Sequence, residues 1–267
     1  MLKLLLVSSL LLLTALAAHA LTEAEIAKFT HKDGTTSLTT DPTDANVLIV
    51  KSNGLPDHDW QRVNPNTPQS QSHSYKVQKN PSLPAVSGTS QCLPMATIGI
   101  AINGVPFYSP YTADSLNAGE CEKFDSCDGH ADDRGSYHYH VGATCVVDGV
   151  KDKFLGVAMD GHPVYSAPDG FDKTKLDECH GQRFTDKGVE RYRYILSGTK
   201  VEDYPYILGC FKGDIIDDRI KNGMKSPQCR KADVIKSKTA CKGSVTGVQG
   251  TTMLLANVVV FIIALWY

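Results

Sequence analysis

The sequence predicts a mainly β fold with little helix, stabilised by disulfides and built from two related hairpin-containing units that arose by internal duplication. Three observations predict it. Residues 98–109, IGIAINGVPFYS, set apolar runs on both sides of Asn103-Gly104, and Asn-Gly tolerates the positive φ angles of a tight hairpin turn. The phrase returns at residues 155–166, LGVAMDGHPVYS, with Asp160-Gly161 in the turn. The eight cysteines all lie between Cys92 and Cys241, an even count that reads as disulfides in a chain bearing a secretion leader.

That leader is residues 1–20. One early lysine, Lys3, precedes a leucine-rich run that closes on Ala18-His19-Ala20, so cleavage is expected after Ala20. The alternative, an uncleaved membrane anchor, has an apolar core that is short for a span. Residues 21–63 form an N-terminal segment with a turn at Asp33-Gly34 and an apolar strand, Val47-Leu48-Ile49-Val50, ending at Ser52-Asn53-Gly54. Residues 64–90 are rich in Pro, Ser, Gln and Asn and read as an extended or irregular connector.

Residues 91–213 hold the two units, the first over about 98–145 and the second over about 155–210, with Val147-Asp148-Gly149-Val150 between them as a third hairpin candidate. Residues 214–244 are polar and tied down mainly by Cys229 and Cys241. The last segment, 245–267, is apolar. Its run from Met253 to Tyr267 is shorter than the ~20 residues of a bilayer span, and no Lys or Arg follows it. Behind the small residues at Gly243-Ser244 it reads as a GPI-attachment signal, with Ser244 or Gly243 as the lipid-bearing residue; a tail-embedded helix is the alternative. The chain is thus expected outside the cell, either secreted or membrane-held by a GPI anchor. A formal charge of −2, with no basic run, gives no reason to expect a nucleic-acid partner.

The repeat extends past the hairpins. Asp125-Ser126-Cys127-Asp128-Gly129-His130 leads to Tyr137-His138-Tyr139-His140. Asp177-Glu178-Cys179-His180-Gly181-Gln182 leads to Tyr192-Arg193-Tyr194-Ile195, and each copy then closes on a cysteine, Cys145 or Cys210. Ordered phrases argue for duplication. The shared residues have ordinary explanations as turn glycines, core aromatics and disulfide staples. The histidines do not: His130, His138 and His140 align with Gln182, Arg193 and Ile195, changing while the frame persists. That behaviour marks a site rather than packing.

On a strand, alternate side chains share a face, so His138 and His140 point one way and Tyr137 and Tyr139 the other. His130, on a Gly-Asp-rich loop, is placed to fold back as a third ligand. A three-histidine set leaves an open position, as in catalytic zinc sites, and suits copper equally well. His162, just past the second turn, is the candidate fourth ligand if the two units face each other. His180 and His58 are weaker candidates, and His31 and His73 carry no supporting context. Asp128, Asp132 and Asp133 are either partners of imidazole N–H groups or solvated loop residues, and their spacing does not match an EF-hand. Copy equivalence joins Cys127 to Cys145 and Cys179 to Cys210; the other four cysteines are expected to pair as Cys92–Cys121 and Cys229–Cys241, which copy equivalence does not decide.

SNGLPDHDW, the paired hairpins, CDGH leading to YHYH, LDEC and YPYILGC together resemble the YHYH-domain family over roughly residues 47–213. The resemblance implies a secreted or surface protein and brings no catalytic assignment.

Three functions follow from these residues. The first is an extracellular metal-binding domain using His130, His138, His140 and His162 with zinc or copper. The second is a metal-dependent hydrolase or other metalloenzyme, with Asp128 or Asp160 as the general base. No H-E-x-x-H, G-x-S-x-G or paired-glutamate pattern accompanies it. The third is a structural or recognition module whose partner is an extracellular protein, glycan or small molecule.

Overall fold

The computed structural model describes residues 21–84 and 90–225. The leader, Cys229, Cys241, the Gly243-Ser244 pair and the apolar tail lie outside the described residues. The chain is β-rich as expected, and no described helix is long and apolar enough to cross a membrane.

Strands β1 (Ser37–Asp41), β2 (Asp44–Ser52) and β3 (His73–Gln78) form an antiparallel sheet in that order. Strand β3 lies inside the stretch expected to be an irregular connector. Its register sets Tyr75 opposite Val50 and Val77 opposite Leu48, so both apolar side chains are buried. Alternation of only two apolar residues was masked by the polar composition around them.

The second sheet has eight strands: β4 (Thr97–Ala101), β5 (Pro106–Tyr108), β6 (Gly129–Ala131), β7 (Tyr137–Tyr139), β8 (Phe154–Ala158), β9 (Pro163–Ser166), β10 (Gly181–Asp186) and β11 (Val189–Leu196). Their spatial order is β10-β11-β9-β8-β4-β5-β7-β6. Outward from the central β8–β4 pair, each side has the same plan: a hairpin, then a strand parallel to its second arm, then an antiparallel outermost strand. The central register is unchanged by exchanging the sides. Gly99 faces Ala158 as Gly156 faces Ala101, with Ile100 opposite Val157 between them. Both central strands are buried along their whole length. A Cβ at Gly99 would lie 2.8 Å from the Val157 carbonyl, so the close approach of the two backbones requires glycine there.

The same small frame holds the outer strands on both sides. Asp125 Oδ1 accepts from the Cys127 and Gly129 amides at 2.9 and 3.1 Å, and its Oδ2 accepts from the Tyr137 hydroxyl at 2.8 Å. Asp177 does the same with Cys179, Gly181 and Tyr192 at 2.9, 3.0 and 2.9 Å. Disulfides close Cys127–Cys145 and Cys179–Cys210, with sequence separations of 18 and 31. In the chain-entropy account these contribute about 3 and about 4 kcal/mol. Cys92 and Cys121 are each disulfide-bonded as well, but the bridges between described residues do not include the expected one joining them to each other.

Helices are few and short: α1 (Glu23–Ile26), α2 (Ala118–Cys121), α3 (Thr144–Val147) and α4 (Asp218–Met224). The expected third hairpin at residues 147–150 is instead the end of α3. Asp148 and Gly149 adopt positive φ, 54° and 66°, and terminate a helix rather than turn a strand pair. Helix α1 starts on a Thr22–Glu25 capping box, and Glu25 then pairs with buried Arg191 at 2.7 Å. The described part of the segment after residue 213 is docked on the sheets by its own side chains. Ile215 and Ile220 are buried, and the α4 cap Asp217 accepts from the Lys76 amide of β3 at 3.0 Å.

Candidate metal centre

Strands β6 and β7 pair with His130 directly opposite His138, and His140 follows one residue after β7. The hairpin between them closes on Asp132, whose Oδ1 accepts from the Arg134 and Ser136 amides, both at 2.9 Å. Alternation along β7 sends Tyr137 and Tyr139 to one side and His138 and His140 to the other, as the sequence predicts.

Each imidazole is held from behind. Nδ1 of His130 lies 2.9 Å from the Lys123 carbonyl, Nδ1 of His138 lies 2.9 Å from the Ser136 carbonyl, and Nδ1 of His140 lies 2.6 Å from the Ser109 carbonyl. A carbonyl only accepts, so the hydrogen-bond network assigns the proton to Nδ1 in all three rings. In the neutral form of each ring Nε2 is then the nitrogen open to a ligand, and the three Nε2 atoms converge. Nε2 of His138 lies 3.0 Å from that of His130 and 3.0 Å from that of His140. A fourth donor joins them: Glu122 Oε2 is 2.9 Å from Nε2 of His130 and 3.6 Å from that of His140. The donor atoms of these four residues all lie within 4.8 Å of one another.

Aromatic walls keep water from the sides of the cluster. Tyr108 of β5 stacks on His138, 3.8 Å between centroids and 14° from parallel, and Phe124 packs at 5.1 Å from His130. Burial drives the His138 imidazolium well below its ordinary pKa, reinforced by His140 and His130. It also pushes His140 down to about 4, partly countered by the Glu122 carboxylate. Burial raises Glu122, but when His130 and His140 carry a proton on Nε2, the hydrogen bond from His130 and the charges of the two rings outweigh burial and lower the carboxyl. Burial raises the Tyr108 phenol to about 12. At neutral pH, His138 and His140 are therefore neutral imidazoles beside a carboxylate. The cluster opens on a cavity of about 510 Å³, walled also by Asn64, Met95, Tyr111 and Arg134.

Several expected residues lie elsewhere. His162 is not a fourth ligand. The two units sit side by side in one sheet instead of facing each other, and His162 is fully buried against Tyr192, 4.9 Å between centroids, and Tyr194. Asp128 does not line the cavity; it accepts from the Thr144 amide and hydroxyl and fixes the loop beside the disulfide. Asp160 accepts from Tyr194 Oη at 2.6 Å and the Gly213 amide at 2.9 Å, a buried turn residue remote from the histidines. Neither aspartate is placed as a general base for this centre. His58 lies on the tyrosine face, with its Nε2 2.6 Å from the Tyr139 hydroxyl, and the cysteines near it are bridged to each other. His180 bonds Ser197 Oγ at 2.8 Å.

Glu122 was missed, yet the comparison of copies carried its signal. Counting back from Asp125 and Asp177, Glu122 falls opposite Thr174, so the acid changes together with the three histidines. On the second side, Arg193 stands in the place of His138. Its guanidinium lies 5.0 Å over Tyr165, the counterpart of Tyr108, and pairs with Asp152.

A family model described as YHYH protein matches residues 74–175. No curated protein matches, and no solved structure matches.

Proposed function

Since the chain belongs to the YHYH protein family through residues 74–175, a span that contains all four converging donors, we propose that it is an extracellular metal-binding protein with His130, His138, His140 and Glu122 as ligands. One observation carries this reading. Three Nε2 atoms and a carboxylate oxygen converge, neighbouring donors 2.9–3.6 Å apart, with each Nδ1 turned to a backbone carbonyl. Such an arrangement is repulsive by itself and becomes favourable around a cation. Nitrogen-rich donors of this kind suit zinc or copper.

The test is metal content by elemental mass spectrometry on secreted protein, compared with a His138→Ala/His140→Ala double variant. About one metal per chain, lost in a folded variant, supports the site. No stoichiometric metal in either protein after loading refutes it.

The cavity favours a second reading, a metal-dependent enzyme, because a purely structural ion needs no open approach. A bound divalent ion would supply Lewis acidity, and Tyr108, Tyr111, Asn64 and Arg134 would shape what reaches it. Turnover of an ester, peptide or glycoside that disappears with chelator would favour this over simple capture.

We place the protein at the cell surface, held by a GPI anchor at Ser244 or Gly243. The disulfides support an oxidising compartment, and the small-residue site before an apolar tail supports the anchor. Release from cells by a phosphatidylinositol-specific phospholipase tests it; retention after treatment refutes it.

A further inference from the structure

The four donors form a ring, and the shape of that ring selects among metals. Taken in order, His138, His130, Glu122 and His140 are separated by 3.0, 2.9, 3.6 and 3.0 Å. His138 and Glu122 face each other across the ring. Their donor atoms lie within 4.8 Å of each other. The other opposed pair, His130 and His140, is also set wider, with ring centroids 5.6 Å apart against 4.6 and 4.7 Å for the adjacent pairs.

Donors at ~2.0–2.1 Å from one ion have two simple four-fold arrangements. A tetrahedron gives six equal separations of about 3.3 Å. A square gives four sides of about 2.9 Å and two diagonals of about 4.1 Å. Three sides of 2.9–3.0 Å match the square's side more closely than the tetrahedron's edge, and the wider setting of the His130 and His140 rings agrees with a diagonal. Resting on the metal-site reading above, the geometry points to a tetragonal copper(II) centre with three imidazole nitrogens and one carboxylate oxygen as its equatorial donors. All four donors line the 510 Å³ cavity, which gives a further ligand a route to the ion. Zinc has no electronic preference for this shape, whereas tetragonal N,O donor sets are those of copper(II) and nickel(II), and copper(II) binds the tighter of the two.

The second side of the sheet gives an internal comparison. Where His138 has its counterpart, Arg193 provides a permanent cation paired with Asp152, and the acid position is Thr174. Among the described residues that side gathers no comparable donor set, so the expected stoichiometry is one copper per chain.

The experiment is electron paramagnetic resonance of the full secreted protein loaded with one equivalent of copper(II). Wild type is expected to give an axial spectrum with a wide parallel copper splitting and superhyperfine structure from three nitrogens. His138→Ala should lose one nitrogen, and Glu122→Gln, which keeps the side-chain shape, should keep three nitrogens and shift the parallel splitting. Added azide should perturb the wild-type spectrum through the open position. A rhombic spectrum with a collapsed parallel splitting would overturn the assignment. So would a cobalt(II) form with the intense visible bands of a tetrahedral ion. Zinc bound stoichiometrically with no defined copper spectrum keeps the metal site but refutes copper. Failure to bind any metal sinks the site itself.

Discussion

His180 gives a prediction that can be worked to a number. It is buried at positive φ, 71°, with Nε2 on Ser197 Oγ, and burial, reinforced by the Lys173 charge, pushes its pKa down from 6.5 to about 4. The unfolded chain therefore takes up this proton below pH 6.5, while the folded chain refuses it until about pH 4. More protons on the unfolded state means that stability falls with acid across that window and is complete above it. At pH 5 the unfolded state is favoured by about 2 kcal/mol from this one residue. We substitute His180→Asn, because Asn tolerates the left-handed backbone and the counterpart residue, Asp128, adopts φ 66° in the first half. Urea unfolding of both proteins at pH 7.5 and pH 5.0, with chelator present, provides the comparison. Wild type should lose about 2 kcal/mol more than the variant on acidification. Loss of the Ser197 bond is the same at both pH values and cancels. Equal acid losses in the two proteins would refute the claim that burial of a neutral imidazole at this position makes the fold acid-sensitive.

Other outcomes follow from the same contacts. Tyr137→Phe and Tyr192→Phe each remove a hydroxyl from a carboxylate, so each should cost about 1.5–3 kcal/mol by urea titration, and clearly unequal costs would break the equivalence of the two frames. Glu25→Ala strands the buried Arg191 guanidinium with Asp186 as its remaining partner; a cost of about 3–5 kcal/mol should lower Tm by about 10 °C, and a fall of under ~2 °C would refute the buried pair as a determinant of stability. Metal at a hundredfold excess over its Kd should stabilise the protein by about 2.7 kcal/mol, reversed by chelator and absent in His130→Ala; equal protection of that variant would place the ion elsewhere.

Much of the fold was legible because the chain says it twice. Asn103-Gly104 and Asp160-Gly161 announced the hairpins, and differences between the copies separated the histidines from their scaffold. What was hidden was hidden for physical reasons. In β3 only Tyr75 and Val77 face the core, too few to stand out from polar neighbours. Asp148-Gly149 supports either a hairpin turn or a helix terminus, and only the surrounding packing decides. The aspartates near the histidines looked like ligands or bases, but short acids serve equally as caps: Asp125 and Asp132 hold backbone amides, and Asp128 holds Thr144. His162 was misplaced because the sequence shows two related units but not their relative arrangement. Glu122 sits on no recognisable motif, brought to the histidines by α2 and the turn after it.

The glycine-lined seam between β4 and β8 has a consequence for any attempt to divide this protein. Its register reads the same from either strand, so the surface that β4 presents to β8 is nearly the surface that β4 would present to another β4. A fragment ending near Val150 would carry every metal donor but leave β4 as an unprotected sheet edge with buried-type side chains on both faces. Its best available cover is an identical fragment, related by a two-fold axis through Ile100. Cutting the chain in half would therefore favour a homodimer with a histidine cluster at each end, two such clusters where the described residues of the intact chain hold one.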